Sequence, residues 1–224
     1  MASFSQASQD LFVKYLTNKK KDGYFIEIGS NHPITNNNTI LLEKKYKWKG
    51  LLVEYDGLFE ESYKKYRCVS KYIIGDARDI DYRLFLVDNK FPQNIDYLQI
   101  DLDVNNGSTI DVLKLFDDTV FDSYKFATIT FEHDIYTGDY FNTRIMSRKI
   151  FSDNGYILIF PDVATFFEGK KCQFEDWYVH PDLVNMNFVD KIKLNHSENH
   201  KTIINRIENI ISQNKYDMNI MRDT

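Results

Sequence analysis

Short apolar runs, each closed by an acidic or polar cluster, recur along the chain and alternate with amphipathic stretches. The runs have the length and residue types of buried β-strands. They are YFIEIGSN from Tyr24, GLLVEYD from Gly50, KYIIGDARD from Lys71, IDYLQIDLD from Ile95, FATITFEHD from Phe126 and YILIFPD from Tyr156. Because strands that alternate with helices build βαβ units, the pattern predicts an α/β fold with a mostly parallel sheet.

The intervening segments carry apolar residues at three- and four-residue spacing, which is typical of helices. They are NTILLEKKYK from Asn38, DGLFEESYKKY from Asp56, STIDVLKLFDD from Ser108 and DYFNTRIMSRKIF from Asp139. We also predict an N-terminal helix over about 4–21, a last strand NFVDKIKL from Asn187, and a C-terminal helix over about 200–213. No repeat or linker interrupts the sequence, so residues 1–224 are predicted to form a single domain.

Isoleucines form a stripe along the predicted C-terminal helix, at positions 203, 204, 207, 210 and 211. Such a stripe buries one face of a helix. We expect it to pack on the domain's own core, and a homodimer contact is the alternative.

Composition and charge narrow the classes of partner. The 224 residues carry 28 Lys and Arg against 33 Asp and Glu, a net charge of −5. This balance provides no basic field, and therefore disfavours nucleic acid and anionic membranes as partners. The chain contains no apolar run of signal-peptide or membrane-spanning length, and its two cysteines are too few for a disulfide framework. We therefore expect a cytoplasmic protein with reduced thiols.

Acidic side chains follow strand after strand of the predicted sheet. They are Glu27, Glu54, Asp76, Asp101, Asp103, Glu132 and Asp134. Ligands of open α/β sheets bind beyond the carboxyl ends of the strands. A lone acid there is most often a solvated loop residue, but the recurrence favours a binding site.

The ends of the first three predicted strands indicate an adenosine ligand. Gly29 allows close approach of backbone to a ligand, but the G-x-G-x-x-G pattern that holds a dinucleotide pyrophosphate is absent, which argues against NAD and FAD. Glu54 stands where an acid accepts hydrogen bonds from both ribose hydroxyls. Asp76 can accept from the adenine amino group, and the small Ala77 leaves room for the ring. An adenosine ligand without pyrophosphate suggests S-adenosylmethionine.

Four stretches resemble the FkbM family of S-adenosylmethionine-dependent methyltransferases. They are SQASQDLF from Ser5, the run from Tyr24 to Asp56, IDYLQIDLDVNNGSTIDVLK from Ile95, and FATITFEHD. The resemblance implies a Rossmann-like class I methyltransferase fold, with a seven-stranded sheet, an antiparallel last hairpin and helices on both faces. Where many members have Asp-Gly, this chain has His32-Pro33. The predicted cofactor contacts are Glu27, Gly29, Ser30, Asn31, Thr39, Glu54, Asp76, Ala77 and Asp101.

Methyl transfer to an alcohol needs a general base or a metal that lowers the pKa of the hydroxyl. Asp101, Asp103, Glu132 and Asp134 form an oxygen-rich set suited to Mg²⁺ or Mn²⁺. Alternatively, Asp101 only holds the methionine ammonium group, and His133 is the base. The predicted catalytic residues are therefore Asp101, Asp103 and His133. Residues two apart on a strand share a face, so His133 is expected to point away from Glu132 and Asp134.

The acceptor side is predicted to include His32, with Trp177 and Tyr178 as an aromatic wall for a sugar or planar acceptor; burial of the two rings in the core is the alternative. The favoured function is O-methyl transfer from S-adenosylmethionine to a hydroxyl of a sugar, glycan or other small molecule. A catalytically inactive binding or structural protein is the first rival. An RNA ribose methyltransferase is the second, and would need a catalytic lysine and a basic groove.

Overall fold

Seven strands form one sheet in the computed structural model, which describes residues 3–167 and 169–220. The first six strands each coincide with one of the apolar runs of the sequence. In chain order the strands are β1 Tyr24–Ile28, β2 Lys49–Glu54, β3 Lys71–Ile74, β4 Asn94–Ile100, β5 Lys125–Glu132, β6 Ile157–Phe167 and β7 Lys170–Val179.

The strand order is β3-β2-β1-β4-β5-β7-β6. Strands β1 to β5 pair in parallel, whereas β7 is antiparallel to both β5 and β6. The order reverses between β1 and β4, where a parallel sheet opens a crevice at its carboxyl end. This is the class I methyltransferase fold, and the predicted seven-stranded sheet with an antiparallel last hairpin is confirmed.

Eight α-helices accompany the sheet in the described part of the chain. They are α1 Gln9–Leu16, α2 Ile40–Tyr46, α3 Glu60–Tyr66, α4 Tyr82–Asp88, α5 Ser108–Thr119, α6 Phe141–Asp153, α7 Met186–Ile192 and α8 His200–Ile220. No helix among the described residues is both long and apolar enough to cross a membrane.

The core has two halves, one on each face of the sheet, because successive strand residues point to opposite faces. Helices α4, α5 and α6 pack on one face, against residues such as Ile28, Ile100 and Phe131. Helices α1, α2, α3, α7 and α8 contribute to the other half, which also contains Phe25 and Trp177. We call the second face the α1 face. By alternation, it is also the face of Glu27, Glu54, Asp101 and Glu132.

The terminal helices differ from their predicted bounds. The N-terminal helix begins at Gln9 rather than near residue 4, because Ser8 adopts a left-handed conformation (φ 64°). It ends at Leu16, and left-handed Asn18 and Lys19 follow it. The C-terminal helix continues beyond residue 213 to Ile220.

The segment NFVDKIKL is a helix and a loop, so the predicted last strand is wrong. Asn185 caps α7 by accepting a hydrogen bond from the backbone N–H of Phe188. Met186, Val189 and Ile192 are spaced by three residues, and the last two are fully buried. The actual last strand is β7, which contains the sequence FEDWYV.

The isoleucine stripe packs on the domain's own core, as predicted. Ile203, Ile204 and Ile207 are buried, and Ile210 and Ile211 are partly buried against the same cluster.

Candidate functional site

A cavity of about 650 Å³ opens at the carboxyl ends of β1, β2 and β4, beside the point where the strand order reverses. Six of its lining residues were predicted as site residues. The lining comprises Gln6, Gly29, Asn31, His32, Thr35, Asn36, Asn38, Glu54, Tyr55, Phe59, Asp101, Leu102 and Asp103.

Gly29 makes the floor of the cavity possible. Its backbone is left-handed (φ 79°), and a Cβ atom built there would lie 1.6 Å from the carbonyl oxygen of Asp101. Any other residue would force β1 and β4 apart at their carboxyl ends. The glycine therefore brings the Asp101 backbone directly against the first turn.

Glu54, the last residue of β2, is held in a fixed orientation by two backbone amides. Its Oε2 accepts from the N–H of Asn31 at 2.6 Å, and its Oε1 accepts from the N–H of Asp56 at 2.9 Å. Each carboxylate oxygen has a further lone pair available. The half-buried side chain can therefore accept from two ligand hydroxyls.

His32 is also fixed by the turn that it occupies. Its Nδ1 accepts from the backbone N–H groups of Ile34 and Thr35, at 3.2 and 3.0 Å. The ring meets Phe59 edge to face, with centroids 5.7 Å apart. His32 thus forms part of the cavity wall, which keeps it a candidate for the acceptor side.

Asp101 and Glu132, at the ends of the adjacent strands β4 and β5, form a hydrogen-bonded carboxyl pair on the α1 face. Burial, reinforced by the charges of Asp134 and Glu54, raises the pKa of Asp101 to about 6. Burial and the neighbouring Asp101 raise the pKa of Glu132 well above its ordinary value. Close carboxylates cannot both ionise cheaply, which favours a proton held between the two groups.

Three predicted cofactor contacts lie behind the cavity wall instead of lining it. Glu27, Ser30 and Thr39 are all buried, at most 1% exposed. Glu27 accepts from the hydroxyl of Thr39 and from the N–H of Asn38 at 2.8 Å. The Ser30 hydroxyl donates to the carbonyl of Val53 at 3.0 Å and also lies within hydrogen-bond distance of the Tyr63 hydroxyl, at 2.7 Å. These three residues position the loop that forms the wall, and their direct contact with a ligand stays a prediction.

Arg67, which follows the last residue of α3, also holds the loop that forms the cavity wall. Its guanidinium donates to Glu43 at 3.0 Å, to the Asn37 amide oxygen at 2.8 Å and to the Thr39 hydroxyl at 2.7 Å. Burial raises the pKa of Glu27 to about 7, although the Arg67 charge and the Thr39 hydrogen bond oppose the shift.

Asp76 and Ala77 do not line the cavity. The carboxylate of Asp76 pairs with the Arg78 guanidinium at 2.6 Å, and hydrogen bonds from Arg78 lower the pKa of Asp76 to about 2. Ala77 is buried. Asp76 is engaged in its own turn and lies outside the cavity lining, so the adenine contacts of these two residues stay a prediction.

His133 points to the opposite face of the sheet from Glu132, as alternation predicts. Its Nε2 lies 3.3 Å from Asp162 and 3.6 Å from Asp176, and the side chain is fully buried. Burial alone would lower the pKa of His133, but the two carboxylates outweigh it and raise that pKa. The ring therefore lies away from the cavity, which disfavours the predicted general-base role of His133.

The predicted metal site is not supported. Among the described residues, only His133, Asp162 and Asp176 bring ligand atoms within 4.8 Å of one another. Their facing carboxylate oxygens already accept from Arg148, at 2.9 Å for Asp162 and 2.8 Å for Asp176. A guanidinium thus neutralises this cluster, and no metal is assigned to it.

The four acids predicted as metal ligands are not gathered around one point. Exposed Asp103 lines the cavity, but its carboxylate accepts from the N–H of Asn105 at 2.9 Å and caps a 3₁₀ turn. Asp134 instead reaches Glu132 by a side-chain hydrogen bond. Glu132 thus interacts with both Asp101 and Asp134, but these three acids do not bring ligand atoms within 4.8 Å of one another.

Trp177 and Tyr178 belong to the core, so the predicted aromatic wall is wrong. They are 0% and 1% exposed and lie on opposite faces of β7. Trp177 stacks on Phe12 of α1, with centroids 4.6 Å apart, and donates to Glu175 at 2.7 Å. The pairing of β7 between β5 and β6 buries both rings.

Several residues that line the cavity were not predicted from the sequence, because only their position in the fold brings them there. Tyr55 comes directly after Glu54 and Phe59 follows in the next turn, so their closeness to a predicted adenosine-binding acid was a usable signal. For Thr35, Asn36 and Asn38 the only signal in the sequence was that they follow Gly29. Gln6 reaches the cavity through a turn of the N-terminal segment, which local pattern does not reveal.

Neither the comparison with family models nor that with curated proteins finds a match. Among solved structures, the chain is similar to M. capricolum TrmK in complex with S-adenosyl-homocysteine, at 15% identity and a TM-score of 0.47, over 98% of this chain and 88% of that one. It is also similar to a TehB-like SAM-dependent methyltransferase from Corynebacterium glutamicum, at 11% identity and a TM-score of 0.47, over 77% and 87%. Aeropyrum pernix fibrillarin with bound S-adenosyl-L-methionine gives 14% and 0.43, over 71% and 67%.

These similarities extend to the arrangement of the chain alone. The fold class rests on the strand order and the antiparallel β7, which are properties of this sheet itself. The chain therefore has the class I methyltransferase fold.

Proposed function

We propose that this protein is an S-adenosylmethionine-dependent methyltransferase that acts on a hydroxyl group of an uncharged small molecule such as a sugar. The observation that carries the proposal is the fixed position of the Glu54 carboxylate in the cavity. Two backbone amides fix its carboxylate at the end of β2, in a cavity at the sheet's switch point. A carboxylate so placed matches the two hydroxyls of a ribose without a 2′-phosphate.

The rest of the cavity suits the remaining parts of that cofactor. Tyr55 and Phe59 offer aromatic surface beside Glu54 for an adenine ring. Glu54, Asp101 and Asp103 supply negative charge, and none of the described lining residues is a lysine or an arginine. Such a cavity favours a ligand that carries a sulfonium and an ammonium group.

The same charge pattern bears on the acceptor. A phosphorylated or polyanionic acceptor would meet three carboxylates and no compensating lysine or arginine along the described lining. This supports a neutral hydroxyl compound over an RNA ribose, whose methylation would use a lysine at a strand end. Membership of the FkbM family is part of the proposal and rests on the sequence motifs.

Asp101 is the residue that we assign as general base. S-adenosylmethionine supplies a methyl group on a positively charged sulfur. As the acceptor oxygen forms its bond to that carbon and the carbon–sulfur bond breaks, Asp101 takes the hydroxyl proton. Glu132 keeps its own proton and donates a hydrogen bond to ionised Asp101, which holds the base in place.

A catalytically inactive binding protein is the rival hypothesis. Such a protein would bind the cofactor at the same site but would not transfer its methyl group. A protein that only binds would need Glu54 but has no use for the buried Asp101–Glu132 pair. Loss of methyl transfer in Asp101→Asn, measured at a saturating concentration of the cofactor, therefore favours the enzyme.

Calorimetric titration with S-adenosylmethionine tests the proposal. Glu54→Ala removes charge-assisted hydrogen bonds worth about 1.5–3 kcal/mol each, so it should weaken binding tenfold or more. Glu61→Ala is the matched control, because Glu61 is an exposed glutamate on α3 outside the cavity lining. Circular dichroism verifies that both variants fold. A folded Glu54→Ala protein with unchanged affinity, or a wild type without affinity, contradicts the proposal.

A further inference from the structure

The N-terminal segment before α1, residues 3–8, is folded back on the helix by one buried carboxylate. Asp10 is 0% exposed. It accepts from the Ser3 hydroxyl at 2.6 Å, the Phe4 N–H at 2.8 Å and the Ser5 hydroxyl at 2.9 Å. Burying a charge is costly unless it is well hydrogen-bonded. These bonds therefore fix the path of the segment.

Two further contacts tie the end of the segment to the body of the domain. The Ser8 hydroxyl lies 2.9 Å from His200 Nδ1 on α8, and Ser8 is held left-handed. Gln9 accepts from the Ala7 N–H at 2.8 Å and also hydrogen-bonds Glu175 of β7. A left-handed non-glycine residue costs about 1–2 kcal/mol, so the surrounding contacts must hold this turn.

Gln6 is the residue that this turn presents to the cavity. It is exposed, whereas Ala7 and Ser8 after it are buried. Gln6 lines the same cavity as Gly29 and Asp101. The segment thus adds one primary amide to the cavity, from the α1 face of the sheet.

The sheet order gives the part of the ligand that Gln6 meets. Across the sheet, Glu54 ends β2, Gly29 follows β1, and Asp101 follows β4. Adenosine at Glu54 therefore places the amino-acid end of the cofactor toward Asp101. Helix α1 contacts β5 and Gln9 reaches β7, so the segment approaches the cavity from that same end.

The amino-acid end carries a carboxylate that needs a donor. Asp101 and Asp103 are acceptors, and none of the described lining residues is a lysine or an arginine to pair with it. A glutamine amide has two N–H donors. Resting on the proposed function, we propose that Gln6 binds the carboxylate of the cofactor's amino-acid group, and that Asp10 is the positioning residue that holds Gln6 there.

The test compares two ligands that differ in that group alone. S-adenosylhomocysteine contains the amino-acid group, whereas 5′-methylthioadenosine keeps the adenosine and the thioether without it. Calorimetry on the full chain gives the ratio of their dissociation constants. Gln6→Ala should weaken S-adenosylhomocysteine by about tenfold and leave 5′-methylthioadenosine unchanged, because one charged hydrogen-bond acceptor loses its donor.

Gln93→Ala is the matched control. Gln93 is an exposed glutamine that precedes β4, at the opposite end of the strand from the cavity. Asp10→Asn should also weaken S-adenosylhomocysteine more than 5′-methylthioadenosine, as Gln6→Ala does, whereas a merely structural role would weaken both ligands equally.

The outcomes separate this inference from the proposed function. If the wild type binds neither ligand, the cofactor assignment fails and the role of Gln6 fails with it. If the wild type binds both, and Gln6→Ala weakens both equally or neither, the cofactor site stands and the role of Gln6 is refuted.

Discussion

Replacing Arg67 with methionine tests whether the cavity wall depends on a buried ion pair. Arg67 and Glu43 are 0% and 1% exposed in their side chains and lie 3.0 Å apart. The change keeps an unbranched side chain but removes the buried cation of Glu43, which is left with only the exposed Lys44 at 3.8 Å. Hydrogen bonds to Asn37 and Thr39 are lost with it.

The expected loss is large because an unpaired charge remains inside. Removing one partner of a buried ion pair costs about 3–5 kcal/mol, so the free energy of unfolding of Arg67→Met should fall by that amount. Urea unfolding followed by circular dichroism measures it. Arg83→Met is the matched control, since Arg83 pairs with Asp122 on the surface, and its unfolding midpoint should stay within error.

A double variant separates the unpaired charge from the lost packing. Glu43→Leu in the Arg67→Met background removes the stranded carboxylate and should restore part of the stability. Equal unfolding midpoints for Arg67→Met and Arg83→Met would refute the reasoning. So would a double variant that is less stable than Arg67→Met.

Three other predictions follow from the buried groups. Burial raises the pKa of Glu27 from 4.5 to about 7, so between these pH values the folded state binds a proton that the unfolded state has lost. The free energy of unfolding of the wild type should therefore fall by up to about 3 kcal/mol as pH rises from 4.5 to 7. Urea titrations at several pH values measure this slope, which Glu27→Gln should remove. The rate of methyl transfer at low acceptor concentration should rise as pH passes about 6 and then level off, because Asp101 must be ionised to accept a proton; a flat profile contradicts its role as base. Ile207→Ala on α8 should cost about 2–5 kcal/mol by leaving a cavity, whereas the same change at exposed Ile145 should have little effect; equal costs would place Ile207 outside the core.

The sequence predicted the sheet and the strand-end acids because both depend on local pattern. An apolar run followed by an acid marks a parallel strand end wherever it occurs, so Glu54 and Asp101 were found from single segments. Gly29 was found from its place in the first turn. The alternation of side chains also separated His133 from Glu132 before any partner was known.

The errors have a common cause, which is pairing between distant segments. Trp177 and Tyr178 are buried because β7 inserts between β5 and β6, and nothing within FEDWYV reveals those neighbours. His133 meets Asp162 and Asp176, which lie 29 and 43 residues further along the chain. The start of α1 depends on Asp10 folding the segment back, a contact that competes with helix formation through side-chain hydrogen bonds.

A crystal structure grown with S-adenosylhomocysteine tests the central claim most directly. The account predicts the ribose hydroxyls within hydrogen-bond distance of Glu54, and the amino-acid group beside Asp101 and Gln6. Density for the ligand in any other part of the molecule, or with the ribose away from Glu54, would contradict it.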